Sequence, residues 1–192
     1  MIALLLLTFT SFIMPSTNPT TRPANGFQCT DCGQWHEEMP MDMFYALPSY
    51  VASIPENERD ARVVRRGDFI IVDNEHHFLR VLLELPIKNS GETFSYGVWG
   101  SLSKKNFDRA LAIYDDPKAS EDEPEYFSWL NNSIEQWPQT INLKTMIKLK
   151  SDARASMILE PTDHPLAAAQ REGIELDRVR EIVDKALHPV KP

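Results

Sequence analysis

The two cysteines of this 192-residue chain lie close together, in the stretch Cys29-Thr30-Asp31-Cys32-Gly33. This C-x-x-C spacing allows one tight turn to direct two thiolates at the same metal ion, and it is typical of half of a zinc site. Gly33 favours such a turn, because a residue without Cβ can adopt the left-handed conformation that points backbone N–H groups toward thiolate sulfur. Zinc takes four protein ligands in a structural site or three in an open catalytic one, so His, Asp or Glu must supply the rest.

Histidines are the candidates for the remaining zinc ligands. His36 follows Cys32 by four residues and is near enough in the sequence to be the third ligand. His164 is the predicted fourth ligand, because it stands between two prolines at the start of a predicted helix and would be held in place. The same segment also suits helix capping, with Thr162 or Asp163 as the N-cap. The other histidines are expected to be partly exposed beside a hairpin turn or to lie in the C-terminal tail: His76, His77 and His188.

Two other activities are compatible with the cysteine motif. A C-x-x-C pair can be a thioredoxin-like redox centre, but that motif opens a helix in a βαβ unit, and no helical pattern follows here. An open zinc site with the same ligands could instead activate a water for hydrolysis, with Glu160 or Asp163 as general base. The sequence contains no G-x-S-x-G, H-E-x-x-H, G-x-G-x-x-G or phosphate-binding glycine motif. We therefore expect a zinc-stapled binding or regulatory domain and assign no catalytic residue.

The charge balance limits the partners of such a domain. Acidic residues outnumber basic residues by 28 to 20, which gives a formal net charge of -8. This balance argues against general binding to nucleic-acid phosphates or anionic lipids. The densest basic cluster, Arg62, Arg65 and Arg66, is followed at once by Gly67 and Asp68, and we interpret it as a solvated turn. The acidic surface suits a basic protein partner, and a small ligand is the other kind of partner considered.

The N-terminal residues differ in composition from the rest. Residues 1–14 are almost wholly apolar but too short to cross a bilayer, which needs about 20 residues. They are a weak signal peptide, a membrane anchor, or a stretch absent from the native protein if translation begins at Met14, which we favour. Residues 15–26 hold three prolines and four Ser or Thr residues and predict a disordered linker. Residues 27–192 then form one domain, expected in the cytoplasm, where thiolates stay reduced.

Hydrophobic periodicity predicts the elements that follow the cysteine motif. Ser53 and Glu56 have the spacing of a capping box and predict a short helix that runs to about residue 64. Residues 69–72 and the alternating residues 77–85 flank an Asp-Asn-Glu turn and predict a hairpin. A third strand is predicted over residues 94–98, and Ser103 is the predicted N-cap of a helix over residues 104–114.

The C-terminal half repeats this mixture of strands and helices. Residues 143–149 alternate between apolar and more polar positions and predict a strand with one buried face, paired with residues 157–160. Two helices are predicted at the end, over residues 165–172 with Gly173 as the stop signal, and from Asp177 onward. Because the strands come in hairpins, the sequence predicts one α+β domain, mainly an antiparallel sheet with flanking helices and an N-terminal zinc-knuckle-like loop.

Several longer motifs occur in a fixed order along the chain. They are the cysteine motif 29–36, Glu58-Arg59 with Arg62, FLRVLLELP (78–86), FSYGVWGSLS (94–103) with Asn106-Phe107, YFSWL (126–130), and LEPTDHPL (159–166) with Gln170 and Gly173-Ile174. Together they resemble the bacterial family catalogued as domain of unknown function 2199, from residue 27 to about residue 182. The resemblance implies a cytoplasmic bacterial protein with no assigned activity. Gly100, where a larger residue is expected, and Ser128, where glycine is expected, depart from the family pattern.

Overall fold

The structure is a computed structural model and describes residues 26–29, 32–36, 38–151 and 153–187. The predicted apolar segment and almost all of the predicted linker fall outside these residues, as does His188. No described helix is both long and apolar enough to cross a membrane.

Strands and helices are mixed along the described chain, which confirms the α+β prediction. The strands are β1 (Phe27–Gln28), β2 (Trp35–His36), β3 (Asp42–Phe44), β4 (Val63–Arg66), β5 (Phe69–Val72), β6 (His76–Pro86), β7 (Thr93–Leu102), β8 (Tyr126–Leu130), β9 (Lys144–Lys148) and β10 (Ser156–Leu159). The helices are α1 (Ser49–Ala52), α2 (Glu56–Arg62), α3 (Lys104–Ile113), α4 (Pro117–Asp122), α5 (Pro165–Glu172) and α6 (Leu176–Leu187).

Five strands close into a barrel in the order β6, β7, β8, β9, β10, and β10 pairs back onto β6. Strands adjacent in this order are antiparallel, except for the closing pair, in which Ser156 lies beside Leu82 in a parallel arrangement. The parallel pair follows from geometry, since the direction of five consecutive antiparallel strands alternates and the first and fifth point the same way. Strand β3 joins β7 in parallel, and β5 and β4 extend the sheet beyond β6. The predicted antiparallel sheet is therefore corrected to a closed, mainly antiparallel barrel with an extension.

Close approach of the strands inside the barrel depends on Gly100 of β7. An added Cβ at this position would meet Ser128 Oγ and would lie 2.7 Å from Ile147 Cδ1 and 2.9 Å from Met157 Cε. These three neighbours belong to β8, β9 and β10, so four strands converge where no side chain is present. A glycine within a strand commonly marks such an approach.

A second, smaller core lies on the other face of β6 and β7. Trp99 is fully buried there together with Phe78 and Ile70. Its indole N–H donates to Tyr45 O at 2.9 Å, and its backbone N–H donates to Asn132 Oδ1 at 2.8 Å. The bond to Tyr45 holds the segment that leads into α1 against the sheet, and the bond to Asn132 holds the residues that follow β8.

The capping box predicted at Ser53 is wrong, whereas the cap predicted at Ser103 is confirmed. Pro55 occupies the N-cap position of α2 without a side-chain hydrogen bond. Ser53 instead ends α1, and its Oγ donates to Tyr50 O at 2.7 Å. Because only a bend separates the two helices, the hydroxyl group serves the preceding helix. Ser103 Oγ accepts from the Asn106 N–H at 3.3 Å and begins α3.

Candidate metal centre

A short hairpin carries the cysteine motif. Strands β1 and β2 pair antiparallel, with Phe27 opposite His36. At the turn, the Cys29 N–H donates to Gln34 O at 2.9 Å and the Gly33 N–H donates to Cys29 O at 3.0 Å. Gly33 has a φ of +69°, the left-handed conformation predicted for it, and an added Cβ would meet nothing within 4 Å. Backbone conformation, rather than crowding, therefore favours glycine at this turn.

Three side chains of the hairpin bring possible metal ligands together. Sulfur atoms of Cys29 and Cys32 and a ring nitrogen of His36 all lie within 4.8 Å of one another, and Cys32 Sγ is 3.7 Å from His36 Nε2. Tetrahedral zinc, with bonds of about 2.3 Å to sulfur and about 2.0 Å to nitrogen, places such a sulfur and nitrogen roughly 3.6 Å apart and two sulfurs roughly 3.8 Å apart. The measured Cys32–His36 distance fits this geometry, and the other pairs need to contract by little more than about 1 Å at most.

The three candidate ligands differ in exposure. Cys29 is only 1% exposed, His36 is half-buried and Cys32 faces solvent. The His36 ring stacks on Phe27, with ring centroids 5.2 Å apart and planes inclined by 21°. Phe27 is in turn part of the main core, which also contains Val179 of α6. A metal ion at this site would therefore tie the hairpin to the core through a buried thiolate and a stacked imidazole.

Gly26 directly precedes the hairpin and supports its outer strand. An added Cβ at Gly26 would collide with the Trp35 indole and would lie 2.7 Å from His36 O. A side chain at this position would therefore displace the strand that carries His36. Gly26, which the sequence analysis placed at the end of the linker, contacts the candidate site.

Two clefts flank Phe27 between the hairpin and α6, with volumes of about 530 and 490 Å³. Carboxylates of α6 and of neighbouring loops line them: Asp177, Glu181, Asp184, Glu38 and Glu92. The basic side chain that they share is Arg180, which pairs with Asp177 at 2.6 Å. Among the charged side chains of these clefts, acidic groups therefore outnumber basic ones. These carboxylates were not predicted to lie near the site, although three of them recur at one-turn and two-turn spacings on α6.

His164, the predicted fourth ligand, has a structural role at the start of α5. It is the N-cap of this helix, because its Nδ1 accepts from the Leu166 N–H at 3.1 Å. Its Nε2 lies at hydrogen-bond distance from Pro138 O. An imidazole that accepts at one nitrogen and donates at the other has no lone pair left for a metal. Among the described residues, the group that could hold a metal ion is Cys29, Cys32 and His36, without His164.

The neighbours of His164 serve the same helix start. Thr162, which was one of the predicted N-caps, accepts from the His164 N–H at 3.3 Å, so it supports the capping residue and does not replace it. Glu160 pairs with Lys144 at 3.6 Å, and Asp163 is exposed. Neither carboxylate, predicted as a possible general base, belongs to the metal-ligating group found in the described part of the chain.

The two adjacent histidines of β6 differ in exposure. His76 is exposed, as expected, and its ring lies 4.5 Å from that of Tyr50. His77 is only 5% exposed and packs against Phe107, with ring centroids 4.9 Å apart. The expectation of a partly exposed His77 is corrected, because alternation along β6 turns it toward the core.

The family described as uncharacterised protein conserved in bacteria (DUF2199) matches residues 28–174. The match includes the three candidate metal ligands and ends two residues before α6 begins. No curated protein and no solved structure matches the chain.

Proposed function

Because this chain belongs to the bacterial family of uncharacterised proteins DUF2199, whose description names no activity, we propose that it is a zinc-stapled binding or regulatory domain without catalytic activity. Zinc bound by Cys29, Cys32, His36 and a fourth protein ligand holds the β1–β2 hairpin against the barrel. The observation that carries this proposal is the convergence of two sulfurs and one imidazole nitrogen within 4.8 Å, on a hairpin in which Gly33 has the left-handed conformation that such a site favours.

A structural role for the metal suits the size of the hairpin. Strands β1 and β2 have two residues each, and an isolated two-stranded hairpin of any length is marginal in water. A bound metal contributes its binding free energy directly to folding of the segment that holds it. A reducing cytoplasm would keep both thiolates available for the metal.

The acidic clefts beside the hairpin support a basic binding partner. Asp177, Glu181 and Asp184 line one cleft, and Trp35, which is 38% exposed, adds an apolar wall. A lysine or arginine side chain of a protein partner offers both the charge and the apolar stem that such walls complement. A cationic small ligand would use the same chemistry.

The second candidate is a zinc-dependent hydrolase that uses a metal-bound water. Exposure of Cys32 favours it, because a metal at this edge of the hairpin would be accessible to solvent. The predicted bases count against it, since Glu160 and Asp163 lie between β10 and α5 and do not belong to the Cys29, Cys32 and His36 group. We therefore rank the binding domain first.

X-ray absorption of the zinc-loaded full chain tests the ligand set that both candidates share, and a ligand-exchange experiment separates them. Both candidates predict two sulfur neighbours at about 2.3 Å and two lighter neighbours near 2.0 Å. Cyanide added to the cobalt-substituted protein should leave the visible spectrum unchanged if four protein ligands close the site, and should change it if water holds the fourth position. A zinc shell without sulfur would refute both candidates.

A further inference from the structure

Strand β4 ends the sheet, and its outer edge has no strand beside it among the described residues. The Asp73 N–H donates to Arg62 O at 2.9 Å. Backbone groups alternate in direction along an antiparallel strand, so those of Val64 and Arg66 also point toward β5. The backbone N–H and C=O groups of Val63 and Arg65 therefore point outward, away from β5. The Val63 N–H is taken by Arg59 O at the end of α2. The N–H and C=O of Arg65 remain at an open edge that can accept a further strand.

The side chains at this edge are basic and have no acidic partner within the described chain. Arg65 and Arg66 are both exposed, and no carboxylate of the described residues lies within ion-pair distance of either. Neighbouring Arg62, by contrast, pairs with both Glu58 and Asp73. Two arginines without a carboxylate are unexpected in a chain with a net charge of -8. They make this edge the complement of an acidic segment.

The two arginines point to opposite faces of the sheet, as adjacent strand residues do. The Arg65 guanidinium lies over the Trp99 ring, 5.8 Å from its centroid, and this contact restrains it on one face. Arg66 lines a cleft of about 430 Å³ on the other side, with apolar walls from Phe69, Leu111 and Tyr114 and carboxylates from Asp68 and Asp115. An extended segment beside β4 would thus meet a guanidinium on each face and a cleft of mixed lining next to one of them.

We propose that the β4 edge binds an extended acidic segment of a partner protein, which adds a strand to the sheet next to Arg65. Main-chain hydrogen bonds to the Arg65 N–H and C=O supply affinity, and the two guanidinium groups select acidic side chains. This surface is separate from the β1–β2 hairpin and from the acidic clefts beside it. The proposal therefore does not depend on whether the hairpin binds a metal.

A second copy of the chain fits this edge poorly. Pairing of β4 with its own counterpart would bring Arg65 and Arg66 of one chain against those of the other, and like charges across a strand pair are destabilising. Charged residues are also a common protection of edge strands against self-association. The same arginines that oppose a second copy attract an acidic strand.

The test uses a synthetic eight-residue peptide that alternates glutamate with valine, and a lysine-valine peptide of the same length as control. Backbone amide NMR of the full chain should show the largest shifts at Arg65 and its neighbours on β4, and only with the acidic peptide. Arg65→Glu with Arg66→Glu should weaken binding by about tenfold or more. Lys105→Glu with Lys118→Glu, which makes the same change in net charge at exposed helix positions, should not.

A second pair of variants separates the backbone bond from the charge. Arg65→Pro removes the outward N–H and Arg65→Ala retains it, and proline is tolerated on an edge strand where the N–H faces solvent. Proline should weaken binding more than alanine does, while both variants keep the circular dichroism of the parent. No binding up to about 1 mM peptide, shifts that lie away from β4, or equal binding of both peptides would overturn the proposal.

Discussion

Ser128 Oγ occupies the space that a side chain at Gly100 would need. From the resemblance to the family, a larger residue was expected at Gly100 and glycine at Ser128. They face each other inside the barrel, between β7 and β8. The missing side chain of Gly100 and the hydroxymethyl group of Ser128 therefore compensate in volume.

This compensation predicts coupled effects on stability. Gly100→Ala should destabilise the protein by about 1–3 kcal/mol, because the added methyl group overpacks the barrel against Ser128. In a Ser128→Gly background, Gly100→Ala should lower the free energy of unfolding by at least about 1 kcal/mol less than it does in the parent. Denaturant unfolding of the four proteins in this cycle measures the coupling.

Ser95→Gly supplies the control for that cycle. Like Ser128→Gly, this change replaces a serine with glycine, but it does so on β7, at a position that faces the other side of the sheet from Gly100. Gly100→Ala should cost as much in this background as in the parent. Equal costs in all three backgrounds would contradict the proposed volume exchange.

His164 should contribute to helix stability and not to metal binding. His164→Ala removes the acceptor of the Leu166 N–H and should lower the free energy of unfolding by about 1 kcal/mol. His164→Asn, which retains an acceptor at the cap, should recover most of it. Zinc content should be the same in both variants as in the parent, and a loss of zinc in both His164→Ala and His164→Asn would restore His164 as a ligand.

Glu123 should give the protein a stability that is lost in acid. The carboxylate is 10% exposed and accepts from the Arg109 guanidinium at 2.7 and 2.9 Å and from the Tyr126 hydroxyl at 2.7 Å. These bonds hold the pKa of Glu123 below its ordinary value of 4.5. Because the folded-state pKa is depressed, the stabilisation is fully present above the unfolded value and disappears as the pH falls through the folded value.

The Glu123→Gln variant tests this pH dependence. We expect it to lower the free energy of unfolding by about 1–2 kcal/mol at neutral pH, since a charge-assisted hydrogen bond is lost. The difference from the parent should shrink as the pH falls below the ordinary carboxyl range. Glu125→Gln, an exposed neighbour, should change stability little at either pH. A difference that stays constant with pH would refute the role given to Glu123.

Removal of the metal should loosen the hairpin without opening the barrel. The Cys29 and Gly33 amides are bonded within the turn, and their hydrogen exchange should speed up by about tenfold or more when a chelator strips the zinc. The amide of Val81, which is fully buried in the barrel, serves as the internal reference and should not change. Unchanged exchange at Cys29 and Gly33 would mean that the metal does not hold the turn.

Local features of this fold were predictable, because their causes lie within a few residues. Alternation identified β6, and Gly173 correctly marked the end of α5. The proximity of Cys32 to His36 was predictable for the same reason, since one turn of chain joins them. The left-handed conformation of Gly33 followed from its place in the motif.

Closure of the barrel and the partners of His164 were not predictable in this way. The β10–β6 pair joins residues far apart in the sequence, and no periodicity within either strand identifies its neighbour. His164 resembled a ligand because its position was restrained, but Pro138, which helps to restrain it, is brought close only by the tertiary fold. The position of the α6 carboxylates beside the β1–β2 hairpin depends on tertiary packing as well.

The most direct test of the zinc site is metal content by plasma mass spectrometry on the full chain, purified without chelator. The matched variants are Cys29→Ser with Cys32→Ser, His36→Ala, and His76→Ala as an exposed-histidine control. We expect one zinc per chain in the parent and in His76→Ala, loss of zinc in the double cysteine variant, and strongly reduced zinc in His36→Ala. A folded parent without metal, or a double cysteine variant that retains its zinc, would contradict the assignment of Cys29, Cys32 and His36 as the metal centre.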